Sequence, residues 1–498
     1  MTDVELLVYA DRLGGTIPEL RALLDGPLRD FGSVHLLPFY VPFDGADAGY
    51  DPVDHAAVDP RLGTWADVRA LARHRSLTAD LIVNHVSSSS VEFTDWLANG
   101  ADSTYEGMFL RYGTVFPRGG TESDLTAFYR PRPGLPFTGY QGGDGSRYLV
   151  WTTFLPTQID LDVAHPVALA YLSRVLRALA SGGVTTVRLD AVGYAVKTAG
   201  TDSFMTQETL AFTRVIVDLA HAENLAVLVE VHAHYSHQLA IAPLVDWVYD
   251  FALAPLLLHS LGTGTVDRLA GWLEIRPANA ITVLDTHDGI GVIDAGPAGD
   301  RPGLLSEREM AEVFARAAAA TNGHSSLASV VPEWATLPHQ INATYFSALG
   351  GDVVAYLVAR AVQHFLPGRP QTYYVGLLGG LDDRELFAET GNGRDVNRHR
   401  YSAAELEAAL ASEVTRAQLG LVRLRCAHPA FDGQFTWSAY GRDVLELRWT
   451  NAAAAARAVL TVCTAPGATS FRIQLADADG GKVLDTVESL AAWTPDAP

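Results

Sequence analysis

Apolar, β-branched runs recur along the chain and alternate with stretches whose apolar positions return every three to four residues. The first kind predicts buried strands over 4–9, 33–40, 77–84, 185–192, 225–232, 244–252, 278–286 and 369–376. The second predicts amphipathic helices between them, at 16–31, 64–76, 166–183, 203–225 and 352–365. Eight strand–helix alternations imply a parallel sheet, and their number favours a closed (β/α)8 TIM barrel over an open one. The expected fold class is therefore α/β.

Two gaps interrupt the alternation. Residues 85–164 are rich in Gly, Pro, Ser and aromatics and are too long for a loop, so they read as an inserted small domain. Residues 290–350, with one clear helix over 306–320, read as a second insertion. Both leave C-terminal ends of strands and are expected over the face where barrel enzymes keep their chemistry. After a helix-rich stretch, residues 443–450, 456–464 and 470–476 alternate like antiparallel strands. The expected division is 1–84, 165–289 and 351–430 for the barrel, 85–164 and 290–350 for the insertions, and 431–498 for a C-terminal β domain.

Composition narrows the partners. The 498 residues are 48% hydrophobic, enough for a sizeable core, and the formal net charge is −21. That charge argues against nucleic acid or an anionic membrane as a partner. It also requires local arginines if a substrate is an anion. The two cysteines, Cys426 and Cys463, are expected to be reduced and buried. The acidic first residues lack the positive charge of a signal peptide, and no apolar run reaches 18 residues. The expectation is a cytoplasmic protein with no membrane partner.

Three of the strand-like runs end in carboxylates: Asp190, Glu230 and the pair His287-Asp288. Arg188 lies two residues before Asp190, so both point to one face of the strand, and the guanidinium is expected to lower the Asp190 pKa, as suits a nucleophile. Glu230 sits among valines and leucines, where a raised pKa suits a general acid. Each admits a plainer reading alone: a strand-end ion pair, a cleft-facing glutamate, a turn-capping aspartate, a structural His85. Together they are what glycosyl transfer needs.

Asp80-Leu81-Ile82-Val83-Asn84-His85, Arg188-Leu189-Asp190, Glu230 and His287-Asp288 resemble, in order and spacing, the four hallmark segments of the α-amylase superfamily. Longer strings resemble its sucrose phosphorylase family: Tyr9 to Gly15, Pro42 to Pro52, Tyr129 to Phe137, Leu189 to Tyr194, Val283 to Val292 and Gly393 to His399. The resemblance implies retaining double displacement, with sucrose and inorganic phosphate as substrates and no cofactor or metal. It implies Asp190 as nucleophile, Glu230 as acid/base and Asp288 as transition-state stabiliser. Asp47 and Arg394 would grip the glucosyl hydroxyls, with His85, His287, Arg188 and Gln158 adding hydrogen bonds. Phe154 and Tyr194 would wall the pocket. Tyr129 and His232 would also bind substrate, and Arg132, His339 and Gln340 would serve the acceptor side, with Arg132, and His339 when protonated, offering charge to phosphate. The chain departs from the family at Leu337 and His339, where an aspartate and a tyrosine are usual, and at Tyr50, where a phenylalanine is usual. These changes leave glucosylglycerol, glucosylglycerate or sucrose 6′-phosphate open as alternative donors. A hydrolase and a non-catalytic sugar-binding module are the remaining rivals. Relatives are often homodimers.

Overall fold

The computed structural model describes residues 3–45, 47–130, 134–329, 338–477 and 480–495. Eight parallel strands close into a barrel in sequential order: β1 Glu5–Val8, β2 Ser33–Leu36, β3 Ser76–Ile82, β4 Thr186–Asp190, β5 Ala226–Val229, β6 Trp247–Asp250, β7 Ala280–Thr282 and β8 Arg369–Tyr373. Helices Ile17–Asp25, Trp65–Ala72, Pro166–Ser181, Gln207–Ala222 and Val353–Phe365 fall where periodicity predicts them, each shorter than its pattern. Closure needs Gly368, which precedes β8 at φ 103°. A Cβ there would stand 2.0 Å from the Ala280 carbonyl oxygen of β7.

Register explains the barrel's interior. Arg188 on β4 pairs with Asp80 on β3, and Glu5 on β1 pairs with Gln371 on β8. Side chains alternate across a strand, so Val187 and Leu189 pack outward while Arg188 points to the axis. A polar chain results. The Glu5 carboxylate accepts from Gln371 Nε2 and from the Thr78 hydroxyl, both at 2.6 Å. His35 then bridges Gln371, at 3.3 Å, to Asp80, at 3.2 Å.

The expected seventh strand is cut short. It ends at Thr282, so Asp288 stands on the connection beyond it. A hairpin of Tyr40–Pro42 and Pro52–Val58, absent from the periodicity, carries Asp47 and Tyr50 over the barrel. In the first insertion a second hairpin, Phe137–Gln141 with Arg147–Trp151, packs by aromatic contacts onto the helix Val91–Asn99. The second insertion holds the helix Glu307–Ala320, opened by a Ser306/Glu309 capping box. The C-terminal sheet has five antiparallel strands rather than three: β9 Gln434–Tyr440, β10 Val444–Asn451, β11 Ala456–Cys463, β12 Ser470–Asp477 and β13 Gly480–Leu484. Trp449 donates from Nε1 to the Phe365 carbonyl at 2.6 Å and ties that sheet to the barrel. Cys426 and Cys463 are free but half-buried. No helix among the described residues is long and apolar enough to cross a membrane.

A buried ammonium pins the first insertion. Lys197 Nζ lies 2.7 Å from Asp160 Oδ2, and it donates to Asn84 Oδ1 at 2.9 Å and to the Tyr194 carbonyl. Asp160 also accepts from the Thr153 N–H and hydroxyl. Strand β3, the insertion and the segment after Asp190 thus converge on one cation. Replacing it by Lys197→Met leaves the Asp160 carboxylate buried without a counter-charge. The expected cost is about 3–5 kcal/mol, read as a lower thermal midpoint by calorimetry; a midpoint equal to that of the parent would refute this role.

Candidate active site

Arg188 is the centre of the site. It is buried, and its guanidinium meets three carboxylates: Nη1 donates to Asp80 Oδ1 and, at 3.0 Å, to Asp190 Oδ1, while Nη2 lies 2.7 Å from Glu230 Oε1. Asp190 and Glu230 therefore sit side by side on the two prongs of one fork. Ala191, directly after Asp190, takes φ 53° and ψ 23°. That left-handed turn ends β4 and aims the Ala191 N–H at Glu230 Oε2, at 3.4 Å.

Arg188 does not lower the Asp190 pKa as its spacing suggested. Burial first, and then the Glu230 charge, push the Asp190 carboxyl well above the usual range, and Arg188 only opposes them. The reason is stoichiometric: one cation is divided among three acids.

Asp288 is set differently. Burial works to raise its pKa, but Arg394 at 3.0 Å, then His287 and Arg398 at 3.6 Å each, hold it well below the ordinary value. Arg398 also donates from Nε to the His287 carbonyl at 2.8 Å and fixes that turn. Arg394 rides the short 3-10 helix Gly393–Asn397 and reaches Asp47 Oδ1 at 3.7 Å. Gln158 Nε2 donates to Asp47 Oδ2 at 2.6 Å. His287 stacks on Tyr50 with ring centres 5.0 Å apart, and burial keeps it neutral. His85 donates from Nε2–H to the Tyr50 carbonyl, 2.8 Å away, and its ring lies 5.4 Å from Phe154. Phe154 in turn meets Tyr194 edge-on at 5.2 Å. Asp47, His85, Phe154, Gln158, Arg188, Tyr194, His287 and Arg394 thus form one pocket around the three acids. The Tyr50 hydroxyl, 3.4 Å from both Asp80 Oδ1 and Arg188 Nη1, joins the buried ion cluster.

Most of the residues expected on the acceptor side come from the two segments read as insertions. Tyr129 lies parallel to Tyr194 at 6.0 Å and to His339 at 6.2 Å. Residues Ile290–Gly291 and Gln340–Ile341 pair antiparallel, and Gln340 Nε2 donates to Asn342 Oδ1 at 2.9 Å. His232 stacks on Phe251 at 3.8 Å and approaches Glu230 Oε1 to 3.7 Å. Burial and the charge of His232 push the His339 pKa down, so a cation expected at 339 is disfavoured there. Arg132 and Leu337 lie outside the described residues. Glu230, His232 and Asp288 bring ligand atoms within 4.8 Å of one another, a metal-like spacing, with Arg394 paired to Asp288 and Arg188 to Glu230. The Asn84 amide is engaged by Lys197. Asp80, Arg398, Lys197 and Asp294 were not singled out by sequence reasoning. Arg398 lies in a quoted string; Asp294 has no local signal.

The profile described as alpha amylase, catalytic domain, matches residues 29–236. A sucrose phosphorylase from Agrobacterium vitis is 51% identical over 449 residues, 90% of this chain and 92% of that one. The chain belongs to the sucrose phosphorylase family. A Bifidobacterium adolescentis sucrose phosphorylase is 47% identical over 90% of this chain and 89% of its own length. The crystal structure of a sucrose 6F-phosphate phosphorylase from Thermoanaerobacter thermosaccharolyticum superposes with a TM-score of 0.90 at 33% identity, covering 97% of each chain.

Beneath the Asp47 loop, Asp51 is 1% exposed and neither carboxylate oxygen has a hydrogen-bond partner among the described residues. Burial, then the Asp47 charge, push its pKa up to about 7. Ionisation is thus costlier in the folded state, so its stability contribution is present below about pH 4 and lost as pH rises toward about 7. Asp51→Asn should match the parent near pH 4 and exceed it progressively up to pH 7, by at most about 1.4 kcal/mol per pH unit. Denaturant midpoints across that range check this; parallel curves would refute it.

Proposed function

We propose that this enzyme is a sucrose phosphorylase, transferring glucosyl from sucrose to phosphate with retention and releasing fructose. Asp190 Oδ attacks the anomeric carbon while Glu230 gives its proton to the fructosyl oxygen. The C–O bond to fructose breaks and a β-glucosyl ester of Asp190 forms. Glu230, now a base, takes a proton from phosphate, which attacks the same carbon and yields α-glucose 1-phosphate. The observation that carries the reading is the shared guanidinium of Arg188. It holds both carboxyls on one fork, which supports the close pairing, about 5–5.5 Å, that retention requires.

The remaining groups follow from charge. The ionised Asp288, across the pocket, faces the positive charge that develops on the sugar ring. Asp47, Gln158, Arg394, His85 and His287 would bind the glucosyl hydroxyls, with Phe154 and Tyr194 as walls. Tyr129, His232, His339, Gln340 and Arg132 would line the acceptor side. The relatives named sucrose phosphorylase support sucrose as donor. Leu337 and His339 favour, as a second reading, the same glucosyl transfer with another leaving group. We draw the rest of the assignment from family membership: no cofactor, and a cytoplasmic location.

Purified protein given sucrose and phosphate should release fructose and α-glucose 1-phosphate in equal amounts, with little free glucose. Asp190→Asn should lower this turnover by roughly 10⁴-fold or more, and Glu230→Gln should be rescued with a donor whose leaving group needs no proton, such as α-glucosyl fluoride. No phosphorolysis of sucrose, alongside turnover of α-glucose 1-phosphate with other acceptors, would replace fructose by another aglycone. Free glucose without glucose 1-phosphate would make the enzyme a hydrolase.

A further inference from the structure

Asp294 belongs to the second insertion, on the short 3-10 helix Ile293–Ala295, and is fully buried. Its Oδ1 accepts from the Ala233 N–H at 3.2 Å and from Gln238 Nε2 at 2.8 Å; its Oδ2 faces His232 Nδ1 at 3.3 Å. Among the described residues its one ion-pair partner is His232. A buried carboxylate with no arginine or lysine beside it requires a proton donor, and the Nδ1–H of His232 is that donor. The ring is held from two further sides. Phe251 stacks on it, and Gly291 passes so close that a Cβ there would stand 2.9 Å from Cε1. The other nitrogen, Nε2, is buried, has no hydrogen-bond partner among the described residues, and lies 3.7 Å from Glu230 Oε1, in the cluster that Glu230, His232 and Asp288 form.

We propose that Asp294 and Gly291 are positioning residues that hold His232 as a cation whose Nε2–H points into the acceptor space and grips the incoming phosphate. The ionisable groups around His232 are Glu230, Asp288, Asp294 and His339. Burial opposes charge on His232, but its bond to Asp294 and the Glu230 and Asp288 charges outweigh that and raise its pKa. His339 is pushed the other way. In a chain of net charge −21, this supplies a fixed positive donor where an anion must dock.

This inference rests on the phosphorylase reading, and its test avoids the identity of the leaving group. Arsenolysis of α-glucose 1-phosphate by the full chain needs the anion site but no aglycone. Arsenate displaces the glucosyl group from Asp190, and the resulting ester hydrolyses to glucose and arsenate. Asp294→Asn keeps the shape, and its carboxamide oxygen still accepts from Ala233 and Gln238, while the charge on His232 is lost. The expected result is a KM for arsenate raised about tenfold with kcat changed by less than about threefold. Gly291→Ala, which displaces the ring and leaves Asp294 in place, should shift KM in the same direction. Arsenate KM within about twofold of the parent in both variants, or loss of kcat with KM unchanged, overturns the proposal. If the parent shows arsenolysis but not sucrose phosphorolysis, the sucrose assignment falls and this inference stands. A parent without arsenolysis has no such anion site, and both fall.

Discussion

Everything in the pocket depends on one buried guanidinium. Arg188 has three carboxylates within reach and almost no water. Charges taken out of water are tolerated only when they are balanced and hydrogen-bonded. Asp80 provides the permanent balance, held by His35 from below and kept ionised by Arg188 despite its burial. What remains of the positive charge is shared by Asp190 and Glu230. Burial and the Glu230 charge outweigh that share and push the Asp190 carboxyl up.

The third acid lives in the opposite regime. Asp288 has the guanidiniums of Arg394 and Arg398 beside it, and its pKa is held well below the ordinary value. Asp190 and Asp288 are thus pushed in opposite directions, separated by how many cations each can claim rather than by residue type. The same logic reaches the insertions. Lys197 neutralises Asp160 where the first insertion meets the barrel, and His232 answers Asp294 where the second one does. Each insertion is docked by an ion pair whose other contacts lead directly to the site: the Tyr194 carbonyl in one case, Glu230 in the other.

The eight-stranded alternation, both insertions and the three acids were legible along the chain because each is a local pattern. Buried parallel strands must be apolar runs, and barrel chemistry must lie at their ends. Boundaries were less legible. Asp288 lies six residues past its strand rather than at its tip, because β7 ends where pairing with β8 does. The hairpin carrying Asp47 and Tyr50 and two of the five C-terminal strands escaped notice because their exposed or irregular faces lack clean alternation.

The sequence by itself determined the barrel and the family, since these reside in runs of neighbouring residues. Charge states were decided only by tertiary structure. Arg188 two residues before Asp190 reads as a private counter-ion. The fold makes it a common one, because strand register places Asp80 beside it and the next strand delivers Glu230 to its other prong. Likewise His339 reads as the acceptor-side cation, but burial pushes its pKa down, while His232 is pushed up by its bond to an aspartate 62 residues away that no local pattern marks. Electrostatic energies depend on distance and dielectric, and both are set only when distant segments meet.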